Sequence, residues 1–258
     1  MKNPIQERQA LLVRGGCVAA ATVRFADEAP LRLAVAGQVV TVLMATPGQE
    51  RELAAGYALT MGWVRRDGDP PHVAFDAAAG RVDLDLALPP DQAEGVRTAG
   101  GGLLGPTEAD PLPSGGMIDI SVLAGLTEAM AAAQVLYRPT RGTHAAALFD
   151  VRGGLLALAE DVGRHNGLDK AVGAAWLAGR LSNAAALALS GRCSLEMVVK
   201  AVRAGVGVTV SVSAPTLPAV EAAQRLGLTL VNCARPAEMK VYTHPGRVSR
   251  QGLPLGLP

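Results

Sequence analysis

The residues from Glu160 to Lys170 read EDVGRHNGLDK and hold more polar chemistry than a turn requires. An apolar run, Leu155 to Ala159, precedes them as a buried strand, and apolar positions from Leu168 to Leu177 follow at helical spacing. A strand-to-helix turn uses Gly163 for backbone freedom and Asn166 as an N-cap. Neither need accounts for Glu160, Asp161, Arg164, His165 and Lys170 together. Two further strand ends pass into polar loops and then helix starts: Ser190-Gly191-Arg192-Cys193-Ser194, and Ser211 to Thr216. In an open parallel α/β sheet the carboxyl ends of the strands share one edge, so the three loops converge on one crevice. Helix N-termini present unpaired N–H groups, and Arg164, Arg192 and Lys170 add cations. That set suits a phosphate or pyrophosphate.

Other chemistry is poorly supplied. His144 and His165 have no acidic or C-x-x-C companions at zinc-ligand spacing, so no metal site is expected. Ser190 lies in SGRCS, without the G-x-S-x-G elbow of a nucleophilic serine. Lys plus Arg total 24 against 23 Asp plus Glu, and only 3% of residues are aromatic. This balance gives no general attraction to nucleic acid or membrane surfaces and no stacking platform for single strands. Cys17, Cys193 and Cys233 form no C-x-x-C pair, as in a protein of a reducing compartment, and the cytoplasm is the expected location. The N-terminal stretch lacks the apolar core of a signal peptide, and no apolar run is long enough to span a bilayer.

The elements that must position these residues follow in order. Residues 1 to about 30 read as a loose arm before a strand near Cys17 to Phe25. Leu31 to Val35 and Val39 to Met44 form a hairpin. Thr46-Pro47-Gly48-Gln49 is a capping box with Pro at the first helical position, opening a helix to about Met61. Val73 to Asp76 and Arg81 to Leu86 form a second hairpin. Thr98 to Gly116 is too rich in Gly and Pro for a regular element and reads as a long loop, a linker or a lid. Asp119 or Ser121 caps a helix whose stripe is Leu123, Leu126, Met130, Ala133 and Tyr137. From Thr140 strands alternate with helices: a hairpin of 145–149 and 155–159, helix 167–178, strand 184–189, helix 195–204, strand 206–212, helix 218–226 and strand 228–231. The division is a small α+β domain (1–97), a Gly/Pro-rich loop (98–116) and an α/β domain (117–258).

The sequence resembles the formate dehydrogenase accessory sulfurtransferases, the FdhD family. The resemblance rests on RGTHAAALFD (141–150), EDVGRHNGLDKAVG (160–173), SGRCSLEMVVKA (190–201), SVSAPTLPAV (211–220) and VYTHP (241–245), with MATP (44–47) and ELAAGYALTMGWV (52–64) in the first half. It implies a cytidine-deaminase-like α/β domain, a homodimer, and binding of the bis(molybdopterin guanine dinucleotide) molybdenum cofactor, with GDP able to occupy the same site. It also implies sulfur relay from a cysteine desulfurase to the cofactor before insertion into the large subunit of formate dehydrogenase. One departure matters. Where the family carries C-x-x-C in its long loop, this chain has Gly101 and Leu104, which cannot hold a persulfide. The chain is thus similar to FdsC-type cofactor chaperones, with no catalytic residue carried over.

On that reading Arg164, Lys170, Arg192 and Arg235 hold phosphates, Ser190, Ser213 and Thr216 donate hydrogen bonds, and His144 and Asp161 orient the guanine or pterin edge. The resemblance adds the cofactor-binding segment Asn232-Cys233-Ala234-Arg235-Pro236-Ala237, in which Cys233 replaces an aromatic ring. The alternatives are a sulfurtransferase using Cys17, Cys193 or Cys233, and a deaminase-like hydrolase suggested by fold analogy alone.

Overall fold

The structure is a computed structural model that describes residues 2–87, 96–97, 103–104, 109–235 and 238–256. It opens with β1 (Ile5–Arg14) and β2 (Cys17–Ala26), followed by β3 (Ala29–Val35), β4 (Gln38–Ala45), α1 (Glu50–Thr60), β5 (Val73–Asp76) and β6 (Arg81–Leu84). The short strands β7 (Val96–Arg97), β8 (Leu103–Leu104) and β9 (Ile118–Asp119) lead to α2 (Ile120–Ala133) and α3 (Tyr137–Thr140). Then come β10 (His144–Phe149), β11 (Leu155–Asp161), α4 (Arg164–Leu177), β12 (Ala186–Arg192), α5 (Leu195–Arg203), β13 (Val208–Ser213) and α6 (Leu217–Leu226). The last strands are β14 (Thr229–Arg235), β15 (Glu238–Val241), β16 (Val248–Arg250) and β17 (Leu253–Pro254).

The fold is mixed α/β. Its main sheet has the order β11-β10-β12-β13-β14-β15, and a smaller sheet has the order β4-β3-β6-β5. Strands β12, β13 and β14 are parallel. Strand β10 is antiparallel to both β11 and β12, so β11 runs with the parallel set and four strands end at one edge. Alternation along the strands puts Leu148, Leu187, Leu189 and Leu230 into a core under α4, α5 and α6. The opposite set, Phe149, Ala188, Val210 and Val231, packs with Leu123, Leu126 and Met130 of α2. The first core continues through Leu31, Leu33, Leu53 and Val82 of the N-terminal half.

Two glycines set the contact between the halves. A Cβ on Gly56 of α1 would lie 1.8 Å from the carbonyl oxygen of Asp169, and one on Gly173 of α4 would lie 1.9 Å from that of Glu52. The helices touch backbone to backbone. Beside this crossing Lys200 Nζ lies 2.7 Å from Asp169 Oδ2 and 3.0 Å from Thr60 Oγ1, tying α1, α4 and α5 through a buried pair.

Several expected elements are corrected. The N-terminal arm is a full hairpin, because Gly15 (φ 55°) and Gly16 (φ 83°) close the two-residue turn that such a ribbon needs. The capping box does not form. Gln49 caps α1 in the left-handed region without a side-chain bond, and Thr46 is engaged elsewhere. Asn166 lies inside α4, whose N-cap is Gly163. The stripe on α2 ends at Met130, since the helix stops at Ala133 and Tyr137 stands exposed in α3. Within the expected loop, residues 98–102 and 105–108 lie outside the described residues.

Candidate functional site

The carboxyl edge of the main sheet gathers the polar loops. His144 starts β10 opposite Asp161 at the end of β11, and the Ala145 N–H donates to Ser190 Oγ at 2.8 Å. A Cβ on Gly191 would lie 3.4 Å from His144 Nδ1, so a residue without a side chain lets the histidine approach the loop after β12. Arg192 pairs in register with Ser213, and Ser211 with Asn232. The edge therefore brings together His144, Asp161, Ser190, Arg192, Ser213 and Asn232. Helices α4, α5 and α6 begin here behind Gly163, Ser194 and Thr216, none of which makes a side-chain capping bond. Their first-turn N–H groups lack the usual side-chain acceptor.

The cations on this edge differ in availability. Arg192 is exposed. Arg164, the first residue of α4, is half-buried, and its buried Nε has no hydrogen-bond partner among the described residues. Burial, and then the charge of Arg164, lowers the His144 pKa. The His165 pKa falls to about 4, first from burial and then from Lys200 and Arg164. His165 Nε2 stands 3.1 Å from Glu196 Oε2, but the geometry is misaligned and neither atom gains a hydrogen bond. With the imidazole neutral, this contact is not an ion pair.

Lys170 and Asp161 do not face a ligand as expected. Their side chains are 1% and 0% exposed, and Lys170 Nζ lies 2.7 Å from Asp161 Oδ2 and donates to the Thr46 carbonyl at 2.6 Å. Asp161 also accepts from the N–H groups of Thr46 and Gly163 and from Asn166 Nδ2. Its acceptors are taken up by the start of α4 and by the end of β4, which Asn166 ties further by a bond to the Met44 carbonyl at 2.8 Å. Glu160 is likewise spent inside. It accepts from three successive N–H groups, those of Val135, Leu136 and Tyr137 at 2.6 to 2.7 Å, and from Thr143 Oγ1 at 3.1 Å. Asn232 is buried, and its amide donates to the carbonyls of Ser211 and Val212, so it braces two strand ends.

Backbone alone places Cys233, Ala234 and Arg235 at the end of β14; their side chains, and all of Pro236 and Ala237, lie outside the described residues. Gly101 lies outside them too, as does the Leu104 side chain. Thiols are distributed unevenly. Cys193 is fully buried and its thiol is pushed up to about 12 by burial, whereas Cys17 is exposed at the tip of the β1–β2 ribbon. Glu196, against His165, was not read from the sequence, because it looks like an ordinary first-turn acid and no local signal marks it.

The model of the FdhD/NarQ family matches residues 26–249. This chain belongs to that family. It is 38% identical over 243 residues to the sulfur carrier protein FdhD of Nocardia farcinica, covering 86% of this chain and 87% of that protein. It is 36% identical over 276 residues to the sulfur carrier protein FdhD of Anaeromyxobacter dehalogenans, covering 94% and 93%. A crystal structure described as a formate dehydrogenase accessory protein of Desulfotalea psychrophila superposes with a TM-score of 0.80 at 23% identity, over 96% of this chain and all of that one. That likeness speaks for the FdhD fold. Among the described residues no helix is long and apolar enough to cross a membrane.

Proposed function

We propose that this FdhD-family chain is an accessory protein of formate dehydrogenase maturation that carries the bis(molybdopterin guanine dinucleotide) cofactor as cargo and delivers it to the dehydrogenase large subunit. The observation that carries this reading is Arg164, whose buried Nε lacks a hydrogen-bond partner among the described residues, at the carboxyl edge where three helices start without side-chain caps. A half-buried guanidinium in that setting requires an anion, and a pyrophosphate supplies one. Arg192 adds a second cation on the same edge. Ser190 accepts from the Ala145 N–H and keeps its own proton for a ligand oxygen. Ser213 and Thr216 extend the same cradle, and His144 faces the base or pterin. Lys170, Asp161 and Asn232 act behind this surface, holding the strand ends in place.

The test is calorimetric titration of the purified chain with GDP, with Arg164→Ala and Arg192→Ala as variants and molybdopterin guanine dinucleotide sought by chromatography of copurified material. Each variant should weaken GDP at least tenfold and carry little cofactor. Equal GDP affinity in all three proteins would refute the cradle.

A second reading is favoured by the relatives, which are named sulfur carrier proteins. On this reading a cysteine desulfurase loads one of the chain's own cysteines, since Gly101 and Leu104 hold no sulfur. Cys193 is a poor candidate because a buried thiol with a pKa of about 12 is not a thiolate at neutral pH. A persulfide found by mass spectrometry on Cys17 or Cys233, with maturation lost in the corresponding alanine variant, would establish sulfur carriage and displace the chaperone reading.

A further inference from the structure

The N-terminal half holds a hollow that the proposed function does not use. A cavity of about 480 Å³ opens between the start of β3, the end of β4, the start of α1 and the β5–β6 turn. Its inner wall is apolar, since Leu31 and Leu53 are 4% and 0% exposed and Pro47 is buried beside them. The hollow exists because small residues surround it. Ala29 and Ala45, paired in register across β3 and β4, border one side, and Ala77, Ala78 and Ala79 border another from the turn. Larger side chains there would fill the space, as protein interiors normally are filled. Gly80 (φ 57°) lets the turn close down on β3, where a Cβ would lie 3.3 Å from the Pro30 carbonyl oxygen.

Uncompensated charge is confined to the rim. Arg32 is exposed and donates to the Ala79 carbonyl at 3.1 Å, which ties its guanidinium to the turn at the mouth. Lys2 is exposed on the same lining, and neither cation meets a carboxylate among the described residues. The one acid on the lining, Glu50, accepts from the Gly48 N–H at 2.8 Å. Lys170 reaches the lining already paired with Asp161 and the Thr46 carbonyl, so its charge is answered from within. An apolar hollow with a few polar groups and a volume of about 300–1,000 Å³ is the usual make-up of a small-molecule site. Two unpaired cations at its mouth select an anion there, while the uncharged interior favours hydrocarbon.

We propose that this cavity binds a small amphipathic organic acid, with a hydrocarbon body of about ten carbons against Leu31, Leu53 and Phe75 and its carboxylate at the rim with Arg32 and Lys2. The site is separate from the cargo cradle, since none of His144, Arg164, Ser190, Arg192, Ser213 and Thr216 lines it.

The test is calorimetric titration of the full chain with decanoate, and with 1-decanol as the neutral molecule of equal length. Decanoate should bind one per chain at about 0.1 mM, and decanol about fivefold more weakly or worse. Arg32→Ala should weaken decanoate by about fivefold, and Ala78→Trp, at an exposed turn position, should block the mouth and remove binding with unchanged circular dichroism. Decanoate should also shift the methyl resonances of Leu31 and Leu53, which locates the site by NMR if the tryptophan variant misfolds. Absence of decanoate binding overturns the proposal, as does equal affinity for decanol or binding that leaves both sets of methyl resonances unmoved.

Discussion

Replacing Lys170 with methionine separates a structural role from a ligand-binding one. The ammonium and the Asp161 carboxylate are 1% and 0% exposed and 2.7 Å apart. Methionine fills similar volume but leaves the carboxylate buried without a counter-charge. Breaking a buried pair in this way costs about 3–5 kcal/mol. With a urea dependence of about 2–3 kcal/mol per molar, the unfolding midpoint should fall by about 1–2 M. Far-UV circular dichroism during urea titration measures this. Adding Asp161→Asn should recover only a fraction of the loss, because an amide offers one acceptor oxygen where the carboxylate now receives Thr46, Gly163 and Asn166. GDP affinity of the folded Lys170→Met protein should stay within about twofold, since on the proposed function the arginines carry the phosphates. A stability loss below about 1 kcal/mol together with a tenfold loss of GDP affinity would show that Lys170 meets the ligand and does not serve chiefly as the partner of Asp161.

Three further outcomes are expected. The His165 pKa is about 4 in the folded chain against 6.5 unfolded, so the unfolded state binds the extra proton between those values; stability should be full above about pH 6.5 and decline by about 3 kcal/mol as pH falls toward 4. NMR titration of the imidazole and urea midpoints at successive pH values check it. Glu160→Gln should destabilise the chain by about 3 kcal/mol, since one of its two acceptor positions becomes a donor facing N–H groups, and amide exchange at Val135, Leu136 and Tyr137 should accelerate. Iodoacetamide should label Cys17 rapidly in the native protein and reach Cys193 only on unfolding, as read by mass spectrometry of the peptides.

The alternating strands and helices after Thr140 were legible because each is a short apolar run with its own punctuation. Strand β12 runs to Arg192, three residues past its expected end, since its last residues are polar and carry no hydrophobic period. The convergence of the three loops was legible from topology. What each charged side chain does there was not. Lys170 and Asp161 have the composition of a phosphate site and differ from one only in being met by Thr46, more than a hundred residues earlier. Glu160 is occupied by backbone N–H groups from another segment, a partner that no spacing rule identifies. Of the ribbon, β2 was expected as a strand near Cys17 to Phe25, while β1 read as a loose arm because its faces lack a clean polar-apolar alternation, the usual mark of a strand lying on a core.

The backbone contact at Gly56 and Gly173 bears on how the proposed cargo would leave. A hinge between the N-terminal half and the main sheet would have to pull apart a pair of helices whose carbonyls already occupy the space of a side chain, and strip Asp169 from Lys200. Prising open a seam of that kind exposes buried charge and apolar surface together. The two halves therefore travel as one rigid jaw with no gape. On the proposed function, handover would proceed by exchange at the rim, the receiving protein offering the anion a better set of donors while the chain keeps its shape.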